Sequence, residues 1–359
     1  FSEPGYIPQI PVVSMDREEG LEIIKMINNE NEGIMHLFYN PDFIAHFSSR
    51  GPVSPFYIKP DIVAPGAYIN STQNNGIYNF TSGTSFAAPH VSGAAALLLQ
   101  KNPELQNHEI KSLLLTTVKP VSDAYGQKFS LHESGSGRLD IANAYNAKLI
   151  INPTNFVIHL SAEESSTKKQ LEIKLIEGLL EKIDVKFEGP EFIEFMHNIK
   201  NNNLEIELNM TGEKYGEHEG KIFINHEKIQ YTIPVLIHYT EGSISISQEN
   251  EKLFFEINHP DKWSFAKITI TNSKNGNTDT ITTTPNKKTS LEIYENGEYW
   301  VHAKIKVDEN TSDAFSTIKI NSLSEKIEKI ELRNIPEKQI TIIILIIIIA
   351  GIIGLLIRK

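Results

Sequence analysis

Two hydrophobic patterns divide the chain. Up to about residue 150, apolar residues cluster at helical spacing between Gly- and Pro-rich loops; after it they alternate with polar ones. "DREEGLEIIKMINNE" puts Leu21, Ile24 and Ile27 on one face, with acids in the first turn, and predicts an amphipathic helix. It lies between two predicted short strands, "IPQIPVVSM" and "GIMHLFY". "HFSSRGP" and "KPDIVAPG" read as loops, the second with a short strand at Ile62–Val63. A small-residue helix follows, stopped by Asn102-Pro103, and "NHEIKSLLLTT" predicts the next. "GSGRLDIANAYNA" reads as a turn feeding a third, with Asp140 as N-cap.

Beyond Ile150 the period is two. Leu204, Ile206 and Leu208 alternate with acids, and Tyr299, Val301, Ala303, Ile305 and Val307 are placed to share one face. Asn296-Gly297, between two alternating runs, predicts a hairpin. Turn spacing divides this region into two β-sandwich units, 151–241 and 242–333. Residues 340–357 carry no charge and are followed by Arg358 and Lys359. At about 1.5 Å per residue a helix over this run nearly matches a hydrocarbon core of about 30 Å. The sequence therefore predicts a transmembrane helix with a cytoplasmic C-terminus, and everything before it extracellular.

Composition narrows the chemistry. The net charge of −11 argues against a nucleic-acid partner, and the absence of cysteine excludes disulfides, thiolate zinc sites and a cysteine nucleophile. The chain starts at Phe1, without Met or a signal peptide, and is read as a truncated start. No Asp-x-Asp-x-Asp loop or phosphate-cradling Gly loop is present. Sequons stand at Asn70, Asn79, Asn209 and Asn310, a number also expected by chance in an Asn-rich chain.

The richest stretch is "NFTSGTSFAAPHVSGAAALLL", residues 79–99. Gly83 allows a tight backbone before a helix, and Ser85 falls at its N-terminus. There free N–H groups favour a developing negative charge. Pro89 is assigned to the first turn, and the Ala/Gly run makes a helix thin enough for the centre of a domain. The residues alone favour a Ser/Thr N-cap on a buried small-residue helix.

"GTSFAAPHVSG" closely resembles the active-site serine segment of the subtilisin-like serine proteases. "FSSRGP", "KPDIVAPG", "NPELQNHEIKSLLLTTVKPV" and "GSGRLDIANA" are similar to segments around that serine in large family members. The resemblance covers roughly residues 1–150. It implies that 1–40 is the end of a protease-associated-like insert and the re-entry to the catalytic domain. It implies that 41–150 is the C-terminal part of that α/β domain, with a parallel sheet, followed by the sandwiches. By the same resemblance Ser85 is the nucleophile, Thr84 supports the oxyanion with it, and protein or peptide substrates are cut through an acyl-enzyme. No cofactor is implied beyond the calcium that family members often bind.

The family places its aspartate and histidine before the serine. Residues 1–84 hold neither of those segments, nor the one supplying the oxyanion asparagine. His36 lies in an apolar run, His46 precedes "FSSRGP", His90 follows Ser85 on the same helix, and Asp61 reads as a loop-fixing acid. The sequence thus implies a membrane-anchored endopeptidase seen as a C-terminal fragment lacking Asp and His. The alternative is an inactive pseudo-protease serving as a peptide-binding or adhesion module.

Overall fold

The structure is a computed structural model that describes residues 17–26, 43–123, 125–177, 183–200 and 203–321. Its first element is helix α1 (Arg17–Met26). Leu21 and Ile24 on its expected apolar face are exposed, and Ile27 and the two flanking strands lie outside the described residues. An antiparallel pair, β1 (Ile69–Thr72) and β2 (Tyr78–Thr81), leads into α2 (Thr84–Lys101). Asn102 leaves α2 in extended conformation ahead of Pro103, which supplies no N–H. Then come α3 (Asn107–Thr116), α4 (Leu131–Ser134) and α5 (Ile141–Asn146). Asp140 caps α5, its carboxylate accepting from the Asn143 N–H at 3.1 Å.

Most of the described chain is β. The first unit holds β3 (Leu149–Asn152), β4 (Phe156–Ser161), β5 (Ser166–Leu175), β6 (Asp184–Glu188), β7 (Ile193–Lys200), β8 (Asn203–Met210), β9 (Gly216–His226) and β10 (Ile229–Thr240). They form two sheets, β4-β10-β9-β6 and β3-β5-β8-β7, in which only β4 and β10 run parallel. The second unit holds β11 (Ser243–Glu249), β12 (Lys252–Asn258), β13 (Phe265–Asn272), β14 (Thr278–Thr283), β15 (Thr289–Glu292), β16 (Gly297–Val307) and β17 (Asn310–Ile320). Its sheets are β11-β12-β15 and β14-β13-β16-β17.

Burial follows the alternation. Leu204, Ile206 and Leu208 are buried on β8, as are the five residues from Tyr299 to Val307 on β16. One hydrophobic core runs from Ala94 and Leu98 of α2 through Leu113 of α3 into both sheets of the first unit. A second core, around Phe255, Ile268 and Val301, belongs to the second unit. Each fully buried Leu or Ile contributes about 1.5–3 kcal/mol, so β strands carry most of the folding drive.

Five expectations are altered. Asn296-Gly297 closes no hairpin, because β15 pairs with β12 while β16 pairs with β13 and β17. Residues 293–296 instead carry the chain from one sheet to the other. The small-residue helix α2 is not enclosed: only Ala94 and Leu98 are buried on it, and Leu97 and Leu99 are exposed. Pro89 is the sixth residue of α2 and lies in its second turn. In residues 43–148 the only sheet described is the antiparallel β1–β2 pair, and the expected strand at Ile62–Val63 is a single parallel bridge from Val63 to Arg138. The parallel sheet implied by the resemblance is not seen among the described residues. Among them no helix is long and apolar enough to cross a membrane; the run at 340–357 lies outside them.

Candidate active site

Ser85 is the second residue of α2, after the N-cap Gly83 and Thr84. Its side chain is exposed, and among the described residues no group hydrogen-bonds to its Oγ. In the first turn a helix has no acceptor for its own N–H groups, so the Ser85 N–H is placed to receive an oxyanion. Thr84 is exposed beside it. Pro89 lacks the N–H that would bond the carbonyl four residues back, which leaves the Ser85 carbonyl without its helical partner.

A chain of backbone contacts fixes this turn. The Gly83 N–H donates to the Gly66 carbonyl at 2.7 Å. A Cβ on Gly66 would stand 2.9 Å from the Gly83 carbonyl oxygen, so only glycine permits the approach. Upstream of Gly66, the Val63 N–H donates to Gly137 at 3.0 Å and the Val63 carbonyl accepts from Leu139 at 2.9 Å. Arg138 and Lys119 exchange two backbone bonds of 2.8 Å. "KPDIVAPG" thus ties the serine turn to the residues that close α3 and open α5. Asp61 anchors the loop through Lys59 and through Lys111 at 3.4 Å, the latter from α3.

The histidines do not assemble on the serine. The His90 Nδ1–H donates to the Phe86 carbonyl at 2.8 Å, which turns its ring along the helix. His46 is exposed and meets Phe47 edge-on, and His36 lies outside the described residues. The aspartates of this region are engaged by the protein's own groups. Asp123 accepts from the N–H groups of Tyr125 and Gln127, and Asp140 caps α5 and pairs with Lys119 at 3.2 Å. Asp42 lies outside the described residues, among which no group of three or more His, Asp or Glu side chains could hold a metal ion.

The sequence did not reveal what lies under residues 52–57. Phe56 stacks on Trp300 of β16 at 5.4 Å and meets Phe315 of β17 edge-on. The Pro55 carbonyl accepts from His159 Nε2 of β4 at 2.9 Å. A separation of 244 residues between Phe56 and Trp300 leaves no local signal for this contact.

Residues 10–137 match the family described as Subtilase family, Peptidase_S8. Minor extracellular protease Vpr of Bacillus subtilis is 29% identical over 180 residues, which span 47% of this chain and 22% of that protein. Subtilisin-like protease SBT1.6 of Arabidopsis thaliana is 36% identical over 135 residues, 31% of this chain and 18% of that one. PII-type proteinase of Lacticaseibacillus paracasei is 37% identical over 136 residues, 33% of this chain and 7% of that one. The chain therefore spans about a fifth, or less, of the length of these curated relatives. A two-domain fibronectin type III segment of chicken tenascin covers 43% of this chain and 93% of its own, at 14% identity and a TM-score of only 0.20. The segment that carries Ser85 thus lies within a match to the Subtilase family, and the chain is similar in part to proteins named as proteases.

Proposed function

We propose that the protein is a subtilisin-type serine endopeptidase that cuts peptide bonds through an acyl-enzyme on Ser85. The observation that carries this reading is the exposed, unbonded Ser85 hydroxyl at the N-terminus of α2, inside a segment that matches the subtilases. The Ser85 Oγ attacks the scissile carbonyl. A histidine takes its proton and returns it to the leaving amine, and water then releases the acyl group. The Ser85 N–H receives the oxyanion, with Thr84 beside it. The aspartate, the histidine and the oxyanion asparagine are supplied from outside this sequence. The β units act as spacers or substrate-positioning modules. Residues 340–357 form a membrane-spanning anchor, with the catalytic part outside the cell and the C-terminus in the cytoplasm.

A second reading, a pseudo-protease that binds peptides, is favoured by the lack of any histidine bonded to Ser85 Oγ among the described residues. One experiment separates the two. A fluorophosphonate probe is applied to native membranes, and the adduct on this sequence is located by peptide mass spectrometry. Modification at Ser85, abolished in Ser85→Ala while that variant stays folded, is the expected result. An unlabelled protein, or labelling that survives in Ser85→Ala, sinks the catalytic reading and leaves the binding one.

A further inference from the structure

Only Glu241 and Gly242 separate β10 from β11, and over this short link the two β units meet with residues 52–57 between them. Histidines gather there. His159 of β4 and His238 of β10 stack ring on ring, 5.2 Å apart and 8° from parallel. Phe315 of β17 lies across both, at 4.9 Å and 5.1 Å, and also stacks on His302 of β16 at 4.6 Å. Phe56 packs on His159 at 4.8 Å. A cavity of about 680 Å³ opens beside the stack, lined among others by Pro52, Glu217, His238, His302 and Asp313.

We propose that the His159–His238 stack is a pH-sensitive latch: neutral, it holds residues 52–57 and the second β unit against the first, and protonated, it releases them. The geometry supplies the reason. The Pro55 carbonyl can only accept, so His159 keeps its single proton on Nε2. On His238 the buried Nε2 has no hydrogen-bond partner among the described residues, so a proton there would go unmatched. Charging both rings would set two cations 5.2 Å apart, and their repulsion opposes the doubly protonated stack.

Charged groups face the stack from every side. Glu217 of β9 lies 3.7 Å from His238 Nδ1 and 2.9 Å from His132 Nε2 of α4. Asp313 of β17 pairs with His302 at 2.6 Å. Lys169 of β5 and His302 oppose a charge on His159, and His132 opposes one on His238. Glu241, His259, Asp261 and Lys304 complete the cavity rim. Burial dominates: it lowers the pKa of His238 and brings that of His159 to about 4. Relative to 6.5, the closed form binds the His159 proton about 300-fold more weakly. Four histidine–carboxylate pairs surround the stack: His302–Asp313, Glu217–His132, Glu217–His238 and Glu241–His259, the last two at 3.7 Å. The first joins neighbouring strands of the second unit, the second ties α4 to the first unit, and the third joins β9 to β10 within that unit. Of the four, only Glu241–His259 runs from the link after β10 into the second unit, and there His259 Nε2 makes no hydrogen bond.

The sign follows from proton linkage. A histidine with a lowered pKa in the closed form stabilises closure fully above its free value near 6.5. That contribution is lost progressively as pH falls toward 4. Trp300, stacked on Phe56, reports the opening. In the full chain with Trp263→Phe, acrylamide quenching of Trp300 is expected to rise severalfold between pH 6.5 and 4 while far-UV circular dichroism stays constant. His159→Phe with His238→Phe is expected to abolish the rise. Flat quenching, quenching that rises only together with loss of dichroism, or an unchanged rise in the double variant overturns the latch. Should that variant not fold, histidine NMR of the unmutated chain decides. A His159 midpoint below 5 supports the latch, and one at or above 6.5 refutes it.

Discussion

At the scale of single residues, two buried hydroxyls connect the serine-bearing segment to the first β unit. The Ser112 hydroxyl of α3 donates to the Ile151 carbonyl and accepts from the Ile151 N–H, both at 2.8 Å. The Tyr231 hydroxyl of β10 accepts from the N–H groups of Lys148 and Leu149, at 2.9 and 3.1 Å. Both side chains are buried, so deleting either hydroxyl strands backbone groups away from water. Ser112→Ala and Tyr231→Phe are each expected to cost about 1–3 kcal/mol, read from urea unfolding midpoints. Losses below about 0.5 kcal/mol would show that water replaces the hydroxyl. Glu109 plays a related part. Its carboxyl accepts from the Gln106 N–H at 2.9 Å and from Lys174 at 2.5 Å, and the backbone bond foremost holds its pKa below the usual range. The likeness of the segment around Ser85 to the subtilases was legible because its motif is local and contiguous. Ser112 and Tyr231 were not, since their partners lie 39 and more than 80 residues away.

At the scale of elements, alternation and capping were legible and partnership was not. The buried face of β16 follows from every second residue being apolar, and Asp140 and Asn102-Pro103 mark helix ends through local chemistry. Which strand pairs with which depends on the whole sandwich, so Asn296-Gly297 looked like a turn and proved to be a sheet-to-sheet crossing. The tight turns lie elsewhere: Glu227, Asn250 and Asp308 take positive φ between paired strands. Glycine position decides the sign of a substitution. Gly135 has φ 57°, and a Cβ there would fall 2.2 Å from the Pro60 carbonyl oxygen. Gly135→Ala should therefore displace the loop that leads to Gly66, costing about 1–3 kcal/mol and reducing probe labelling of Ser85. Gly93 lies inside α2 with nothing within 4 Å of an added Cβ. Gly93→Ala should instead stabilise the helix by about 0.5–1 kcal/mol in thermal melts. Equal effects of the two substitutions would contradict the close approach at residues 60 and 135.

At the scale of the whole molecule, two hydrophobic cores are joined by a mixed contact. The first core runs without interruption from α2 and α3 into the first β unit, so the helices following Ser85 and those strands are expected to unfold together. The second core shares no residue with the first. Between them stand the Phe56–Trp300 stack, Phe315 over three histidines, and Glu163, which accepts from Ser243 and Asn258 of the second unit. Such a contact is small beside either core, so coupling between the units should be partial. Calorimetry of the full chain at pH 7.5 is expected to show two transitions, with a total enthalpy exceeding the van't Hoff value of either. Phe56→Ala removes the ring that touches His159, Trp300 and Phe315 at once while leaving both cores intact. It should move the two transitions further apart and lower the midpoint of the second unit by a few degrees. A single two-state transition, unaffected by Phe56→Ala, would mean that the cores fold as one body and that residues 52–57 do not couple them.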